Sequence, residues 1–282
     1  MSKIILKIVA LAFLFVTTII NAQEFQGIAT YQTKMSFEFD VKKDSTESDK
    51  KDMMNDDMKK AIREMIRKQS EKTYTLAFNK TSSLYTQDEE LEKPKPASNG
   101  FMITIDTGSS DVLYKNTKEK TYTKSTEAFG KNFLIVDSLQ TIDWKMGKES
   151  KKIGKYLCFK ATASKMIDDY DFKTMKKKEK QKELKYTAWY TPEIPVNNGP
   201  ADFSGLPGLI LELHENKTQY LCTKLVLNPK EKIEIKAPTK GKKITEKKFE
   251  KMMNKKSKEM MEQFEGGRKK GDRNSQTIFI QG

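Results

Sequence analysis

The sequence is poor in the residues that most catalytic and metal sites require. It has one histidine, His214, among 282 residues, so a zinc-binding imidazole pair and a serine-type triad both lack partners. Ser204 is not surrounded by the G-x-S-x-G pattern of a nucleophile elbow, and no glycine-rich phosphate loop occurs. The carboxylate pairs Asp56-Asp57 and Asp168-Asp169 lie in polar segments, where a raised pKa is not expected. We therefore expect a protein that is not an enzyme, with no catalytic residue, cofactor or metal site.

Long hydrophobic runs are also missing, apart from one at the N-terminus. Lys3 and Lys7 precede an apolar run over residues 8–20, and Asn21-Ala22-Gln23 follows it. A positive start, a short apolar centre and a small residue at the end are typical of a signal peptide. We expect residues 1–22 to be a signal peptide cleaved after Ala22, with an uncleaved anchor helix as the alternative. The mature chain would then reside in the periplasm or at the outer membrane, or be secreted.

Acidic residues are outnumbered by basic ones. The chain has 53 lysine and arginine residues against 39 acidic residues, a formal net charge of +14. The lysines are mixed with acids in most segments, and export makes nucleic acid an unexpected partner. The pattern indicates a solvated surface; association with anionic lipid at a membrane surface, with a polysaccharide or with an acidic partner is the alternative.

Short segments that alternate between polar and apolar residues recur after residue 25. They are separated by turn residues at close spacing, which is typical of an antiparallel sheet that curves or closes. The segments predicted as strands are 26–31 with 35–39, 72–79, 83–87, 112–115, 120–124, 133–136, 144–146, 156–161, 185–190, 209–213, 219–227 and, beyond Pro229, 232–235. The sequence predicts a mainly β (α+β) fold in one domain over residues 23–265, as a curved antiparallel sheet or half-barrel.

Two amphipathic helices are predicted beside the sheet. Apolar residues at helical spacing predict an insertion helix over about 50–68. A C-terminal helix over about 246–265 would begin after Thr245 as its cap, end at Gly266-Gly267 and leave a tail over 266–282. Methionines recur in both helices, most densely as Met252-Met253 and Met260-Met261. We interpret them as core packing; a copper(I) site of thioethers is the alternative.

Proline is concentrated in one stretch. Four of the eight prolines lie between Trp189 and Leu213, in two turn clusters set between predicted strands. Glycines on both sides of Leu206-Pro207 indicate a backbone packed too closely, or bent too sharply, for a Cβ atom. The stretch is either a rigid corner of the sheet or part of a binding surface. In the second case the binding residues would be Trp189, Tyr190, Phe203, Leu206 and Pro207.

The same stretch resembles a known family. Residues Gly205-Leu206-Pro207-Gly208-Leu209-Ile210 spell the hexapeptide that names the GLPGLI family of secreted Bacteroidetes proteins. Trp189-Tyr190-Thr191-Pro192 ahead of it, and the segment 153–162 with Cys158, are also similar to that family. The resemblance implies an exported protein in which the hexapeptide is a structural motif. It implies no activity, because the family has none assigned.

The two cysteines lie in predicted strands on either side of this stretch. Cys158 and Cys222 would meet an oxidising compartment after export, so a disulfide is one alternative. It requires facing strands with Cα atoms about 5.5 Å apart. Two separate buried thiols are the other alternative, and the sequence does not decide between them.

The function predicted from these features is binding without chemistry. We expect an exported, non-enzymatic binding protein of the bacterial cell envelope that holds a hydrophobic ligand or a partner segment on a curved sheet. The partner would be an outer-membrane or periplasmic protein, or a small hydrophobic molecule. The alternatives are an interaction subunit of an outer-membrane transport or assembly complex, and a methionine-based copper-binding protein.

Overall fold

A computed structural model describes residues 25–35, 71–88, 112–169, 178 and 180–268, with the side chains of 260–268 outside that description. Within these ranges the chain forms twelve strands and one helix. The strands are β1 (Gln26–Met35), β2 (Thr73–Asn79), β3 (Ser82–Gln87), β4 (Val112–Asn116), β5 (Thr121–Ala128), β6 (Lys131–Ser138), β7 (Lys145–Ile153), β8 (Tyr156–Ile167), β9 (Lys182–Thr191), β10 (Leu209–Glu215), β11 (Thr218–Leu227) and β12 (Lys242–Ile244); the helix is α1 (Glu246–Arg268).

All twelve strands belong to one open sheet. Their order is β12-β6-β5-β4-β3-β2-β1-β11-β10-β9-β8-β7. Neighbouring strands pair antiparallel, except that β12 runs parallel to β6, so the sheet is mixed. The mainly β prediction is confirmed, because the period-two alternation in the sequence matches strands that bury one face.

The inner face of this sheet is the one that carries Ala29 and Tyr31 of β1 and Leu113 of β4, all buried. Strands β1 and β10 are separated by β11, yet the Tyr31 hydroxyl donates to the Ile210 carbonyl oxygen at 2.6 Å. In a flat sheet these two strands lie about 10 Å apart, and the Tyr31 side chain bridges them across β11. Bulges between Thr30 and Tyr31 and within β10 bend the sheet around its inner face.

Two hydrophobic clusters fill the space that the curl encloses. The first joins strands β1 to β4 with β8, β10 and the segment that follows β9, and the second lies on β8, β9 and β10. Strands far apart in the sheet order therefore share one core, which only a curled sheet allows. The largest fully buried apolar side chains are Tyr31, Leu76, Phe78, Leu134, Ile135, Ile194, Leu206, Leu209, Ile210 and Leu211.

The two-helix prediction is not supported. Among the described residues α1 is the one helix, and it runs through Gly266-Gly267 to Arg268, beyond the predicted end. The predicted insertion helix over about 50–68 and the signal peptide over 1–22 lie outside the described residues, as does the tail beyond 268. No helix in the described part of the chain has both the length and the apolar character needed to cross a membrane.

Helix α1 is attached to the sheet at its first turn. The Glu246 N–H donates to Asp137 Oδ2 at 3.2 Å, and the Tyr122 hydroxyl donates to the Glu246 carboxylate at 2.7 Å. The ring of Phe249 meets that of Phe133 edge-on, with centroids 5.5 Å apart. Thr245 accepts the first helical bond with its carbonyl oxygen, as a cap residue does, while Asp137 of β6 supplies the side-chain acceptor.

One predicted strand is wrong. Residues 232–235 were expected to continue β11 beyond Pro229, but the chain has no strand there. Asn228 adopts a φ of 48°, which turns the chain out of the ladder. The Ile233 N–H then donates to the side chain of Gln26 at 3.2 Å, so a side chain replaces the backbone partner that a strand would need.

Candidate functional site

The proline-rich stretch forms a packed loop between β9 and β10, residues 192–208, which we call the signature loop. Its backbone is tied to the start of β10, since the Leu209 N–H donates to the Ile194 carbonyl and the Ile210 N–H to the Asn198 carbonyl, both at 3.0 Å. Ile194 and Val196 belong to the first cluster, and Phe203 and Leu206 to the second. The loop is therefore part of the core and fills much of the inner face.

The two glycines of the hexapeptide have different physical requirements. Gly205 has a φ of +102°, a conformation that residues with a Cβ atom rarely adopt. At Gly208 the backbone is not left-handed, but a Cβ atom would lie 2.2 Å from the carbonyl oxygen of Thr191. The sequence indicated a backbone bent too sharply or packed too closely for a Cβ atom. The sharp bend occurs at Gly205 and the close packing at Gly208.

A buried lysine holds the signature loop in place. Lys115 of β4 is completely buried, and its Nζ donates to the carbonyl oxygens of Gly199, Ala201 and Phe203 at 3.0, 2.7 and 3.1 Å. Burial lowers the pKa of Lys115 to about 7, and the nearby charge of Asp202 acts in the opposite direction. The three carbonyls match the three donors of an ammonium group.

Sequence reasoning missed the role of Lys115. Lysine in a strand is ordinarily taken as an outward, solvated residue. The alternation of side chains along a strand could have indicated it, because Lys115 is two residues from Leu113 and so lies on the same face of β4. That alternation alone did not reveal that a loop 84 to 88 residues away supplies the hydrogen-bond acceptors.

Four tyrosines lie on the inner face beside the loop; we call Tyr74, Tyr85, Tyr186 and Tyr220 the tyrosine cluster. The rings of Tyr74 and Tyr85 stack at 5.0 Å and 6°. The Tyr186 ring meets that of Phe203 edge-on at 5.2 Å, which joins the cluster to the signature loop. Tyr74 and Tyr220 are half-buried, so part of the cluster reaches solvent.

Two carboxylates belong to the same region. Glu215 is the register partner of Tyr186 across β9 and β10, and it is hydrogen-bonded to the Tyr220 hydroxyl. Asp202 is exposed and lies between Ala201 and Phe203, whose carbonyls Lys115 binds. Burial and, to a smaller extent, the charge of Asp202 raise the pKa of Glu215 to about 7, while the hydrogen bond from Tyr220 and the charge of Lys165 act in the opposite direction. Neither carboxylate was singled out for binding from the sequence.

The residues predicted to bind are not brought together into one open surface. Tyr190, Phe203 and Leu206 are buried in the second cluster, and Pro207 is exposed at the loop surface. Trp189 is half-buried, and its ring is covered by the ammonium of Lys151 at 4.3 Å and of Lys160 at 6.0 Å from the centroid. The binding role of this set stays a prediction, whereas its packing role is evident for its three buried members.

The lone histidine has a structural partner. His214 Nε2 lies 2.7 Å from Glu212 Oε1, and Lys151 Nζ lies 2.7 Å from Glu212 Oε2. Burial opposes the charged form of Glu212, but the hydrogen bonds from Lys151 and His214 prevail and lower its pKa. The described residues contain no group of three or more histidine, cysteine or acidic side chains placed to bind a metal ion.

Both cysteines are free thiols in this structure. Cys158 is buried in the first cluster, and the half-buried Cys222 packs against that same cluster. Burial raises the pKa of each thiol to about 11. Whether oxidation joins them stays a prediction. Of the methionine pairs, Met252 and Met253 are half-buried on α1, and the second pair lies outside the described side chains.

Two cavities in the described residues, of about 210 and 290 Å³, are open to solvent and lie beside the β10–β11 hairpin. Both are lined by Lys34 and Gln219. Neither contains a residue predicted to bind.

Residues 144–212 match a family described as "Protein of unknown function (Porph_ging)". Two solved structures, described as PNGF-II in space groups C2 and P21, resemble this chain with a TM-score of 0.44 and 15% identity, covering 81% and 80% of this chain. The chain spans 32% of the length of each. No curated protein matches the chain. The family match includes the hexapeptide, so the chain is similar over this region to a family of unknown function, while the GLPGLI resemblance stays an interpretation.

Proposed function

We propose that this chain is an exported, non-enzymatic binding protein of the bacterial cell envelope that holds a segment of a partner protein against its curled sheet. The observation that carries the proposal is the signature loop, which Lys115 fixes over the inner face with three hydrogen bonds. The apolar part of that face is filled by the chain itself. A partner segment is therefore a better occupant than an enclosed hydrophobic ligand.

The surface available to a partner consists of the half-buried members of the tyrosine cluster, Tyr74 and Tyr220. Tyrosine provides a large contact area and a hydrogen-bonding hydroxyl, with few rotatable bonds to order on binding. The neighbouring loop is tied to β4 and β10, so its conformation is set before a partner arrives. A surface organised in advance loses less entropy on association. Both features support recognition rather than chemistry.

The alternatives predicted from the sequence have weaker support. An interaction subunit of an outer-membrane complex would use the lysine-rich α1, which contacts the sheet through its first turns. A copper carrier would need converging thioethers, and the described methionine pair on α1 lies among exposed lysines that repel a cation. Both remain proposals of lower rank.

Position-specific photo-crosslinking of the full-length chain in its native host tests the proposal. A photo-reactive phenylalanine analogue replaces Tyr74 in the cluster, and in a control it replaces Phe129, which is 49% exposed at the β5–β6 turn. We expect an adduct with an envelope protein from position 74 and at least tenfold less from position 129. Equal yields, or no adduct from position 74 above the background without light, would overturn the proposal.

A further inference from the structure

The turn between β5 and β6 exposes an aromatic ring in a conformation that does not suit it. Ala128 pairs with Lys131, and the two residues between them, Phe129 and Gly130, have φ values of 53° and 68°. Such a type I′ turn favours Asn-Gly or Asp-Gly, and a bulky residue with positive φ is a genuine outlier. Phe129 is also 49% exposed, so packing does not compensate the strain. A strained residue with an exposed apolar ring indicates a requirement other than folding.

Strand β12 brings lysines beside this turn. It runs parallel to β6, with Lys242 opposite Phe133. Gly241 lies against the preceding residue of β6, since a Cβ atom on it would be 3.1 Å from the carbonyl carbon of Asn132. The exposed lysines that flank the turn in this way are Lys131, Lys240, Lys242 and Lys243. None of these four forms an ion pair within the described part of the chain.

Helix α1 extends this basic surface. Its first residue, Glu246, contacts Asp137 near the end of β6, whereas Phe249 meets Phe133 nearer the start of that strand. The helix therefore runs back along β6 toward the β5–β6 turn. The exposed lysines of its first two turns are Lys247, Lys248 and Lys251.

We call residues 127–132 and 240–251 the basic corner. Together they contain seven lysines and three glutamates. One of the glutamates, Glu246, accepts a hydrogen bond from the Tyr122 hydroxyl, which leaves the positive charge in excess at the surface. A basic surface attracts anionic head groups within about 8 Å, the Debye length at physiological ionic strength.

We infer that the basic corner is a docking surface for a lipid bilayer with anionic head groups, in which the Phe129 ring enters the interfacial region and the flanking lysines contact phosphates. This surface is separate from the tyrosine cluster and does not depend on the proposed function. Binding at a bilayer interface increases with the apolar area that is buried and with attraction to anionic lipids. The basic corner supplies both contributions at one place.

A bilayer fits this surface better than an acidic protein. A ring that protrudes from a turn needs an apolar medium around it, and the bilayer interface provides one without a shaped pocket. An acidic protein would have to supply a pocket for Phe129 and carboxylates at matching positions. Lysine side chains are also long enough to reach head groups at different depths, with their methylene groups along apolar surface.

Co-flotation with lipid vesicles tests the inference on the chain as isolated from its native host. The probes are vesicles of phosphatidylcholine alone and vesicles of phosphatidylcholine mixed with phosphatidylglycerol. We expect at least tenfold tighter binding to the anionic vesicles, with an affinity that falls as salt is added. Equal binding to both kinds of vesicle, or binding to neither, would overturn the inference.

The variant Phe129→Asn separates lipid binding from folding. Asparagine is favoured in a type I′ turn, so the variant should melt at or above the temperature of the wild type. We expect its affinity for anionic vesicles to fall at least tenfold. Met166→Gln is the matched control, because Met166 is 54% exposed near the end of β8, and it should bind like the wild type. Unchanged affinity in Phe129→Asn would show that the ring does not insert.

Two triple variants locate the charge that attracts the lipid. One neutralises three exposed lysines of the basic corner, and the other neutralises three exposed lysines of β7, at the opposite end of the sheet. The substitutions are Lys240→Gln, Lys242→Gln and Lys243→Gln in the first, and Lys145→Gln, Lys148→Gln and Lys152→Gln in the second. We expect at least tenfold weaker binding to anionic vesicles in the first and less than twofold in the second. Equal losses would assign the attraction to net charge and overturn the docking surface.

The variant Phe129→Trp reports the surroundings of the ring. Relative to the wild type, which has two tryptophans, we expect its added emission to shift to shorter wavelength on anionic vesicles and to be quenched by lipids with brominated chains. No quenching, or an equal shift with polyglutamate, would overturn the assignment to lipid in favour of an acidic protein. None of these measurements involves Tyr74, so the vesicle and crosslinking experiments fail independently. Position 129 stays a valid crosslinking control, because contact with lipid gives no protein adduct.

Discussion

The ammonium of Lys115 donates a hydrogen bond of 2.7 Å to the carbonyl oxygen of Ala201, 86 residues further along the chain. Together with the bonds to Gly199 and Phe203, it satisfies three backbone acceptors that the signature loop would otherwise bury unpaired. This one side chain therefore joins β4 to the loop and sets the position of Asp202.

Replacing Lys115 by methionine should destabilise the fold substantially. Methionine fills a similar volume but leaves three carbonyl oxygens without donors, and each unsatisfied buried group costs about 1 to 3 kcal/mol. Because removing the lysine also removes the cost of burying a charge, we expect a net loss of about 3 kcal/mol in the free energy of unfolding. Urea denaturation measures it. Lys131→Met, at an exposed position on β6, is the control and should change stability by less than about 0.5 kcal/mol.

The wild type and Lys115→Met should also differ in how the free energy of unfolding depends on pH above neutrality. The pKa of Lys115 is lowered by burial to about 7 in the folded state, whereas the unfolded chain retains the usual value near 10.5. Between these values the unfolded state binds more protons, so stability from this group rises as pH increases from 7 to 10.5. Lys115→Met should lack that rise. Parallel curves for the two proteins would contradict the lowered pKa.

Glu215→Gln should change the pH dependence of stability below neutrality, where the effect of Glu215 has the opposite sign to that of Lys115. Burial raises the pKa of Glu215 to about 7 in the folded state, from the usual 4.5. Between these values the folded state binds more protons, so this group's stabilisation is complete below pH 4.5 and is lost as pH rises through 7. The wild type should lose about 1 to 3 kcal/mol over this window relative to Glu215→Gln. Urea denaturation between pH 4 and 8 measures the difference, which a slope unchanged by the mutation would contradict.

Gly208→Ala should be more damaging than an alanine at a glycine that needs only a positive φ. The new Cβ atom would lie 2.2 Å from the Thr191 carbonyl oxygen, so backbone must move, at an expected cost of about 3 kcal/mol. Gly130→Ala is the matched comparison, because Gly130 has a φ of +68° and open space around it, with an expected cost of about 1 kcal/mol. Equal melting temperatures for the two variants would contradict the close contact at Gly208.

Cys158 and Cys222 should react slowly with a thiol reagent in the folded, reduced protein. Their raised pKa values, near 11, leave little of the reactive thiolate at pH 8. We expect each thiol to be modified at least tenfold more slowly in the folded protein than in the protein unfolded by urea. The variants Cys158→Ser and Cys222→Ser show which cysteine gives each kinetic phase. Peptide mapping without reductant of protein isolated from the native envelope tests the disulfide. A linked Cys158–Cys222 peptide would support that alternative and contradict free thiols in the exported protein.

The outline of the sheet was predictable because it depends on local patterns. Alternation over 112–115 and 120–124, with turn residues between, correctly predicted β4 and β5. The prediction failed at 232–235, where the pattern continued but the chain turned at Asn228 and paired with the Gln26 side chain. An alternating pattern indicates where a strand is compatible with the residues, not whether a neighbouring strand is present to pair with it.

The candidate site was far less predictable. The aromatic residues chosen for binding, Tyr190 and Phe203, are core residues, and sequence alone does not distinguish an aromatic that fills a core from one that lines a surface. Lys115 looked like an ordinary charged residue. Its role depends on contacts with a segment that is distant along the chain.

By itself, the sequence determined the mainly β fold, the hairpins along the chain and the need for glycine at positions 205 and 208. Each of these depends on a residue and its near neighbours, through side-chain alternation, turn chemistry and the space that a Cβ atom requires. Only the tertiary structure decided that the signature loop fills the inner face and that a buried lysine holds it. The physical reason is that the curl of the sheet sets which distant residues become neighbours, and burial at those places sets their charge and partners.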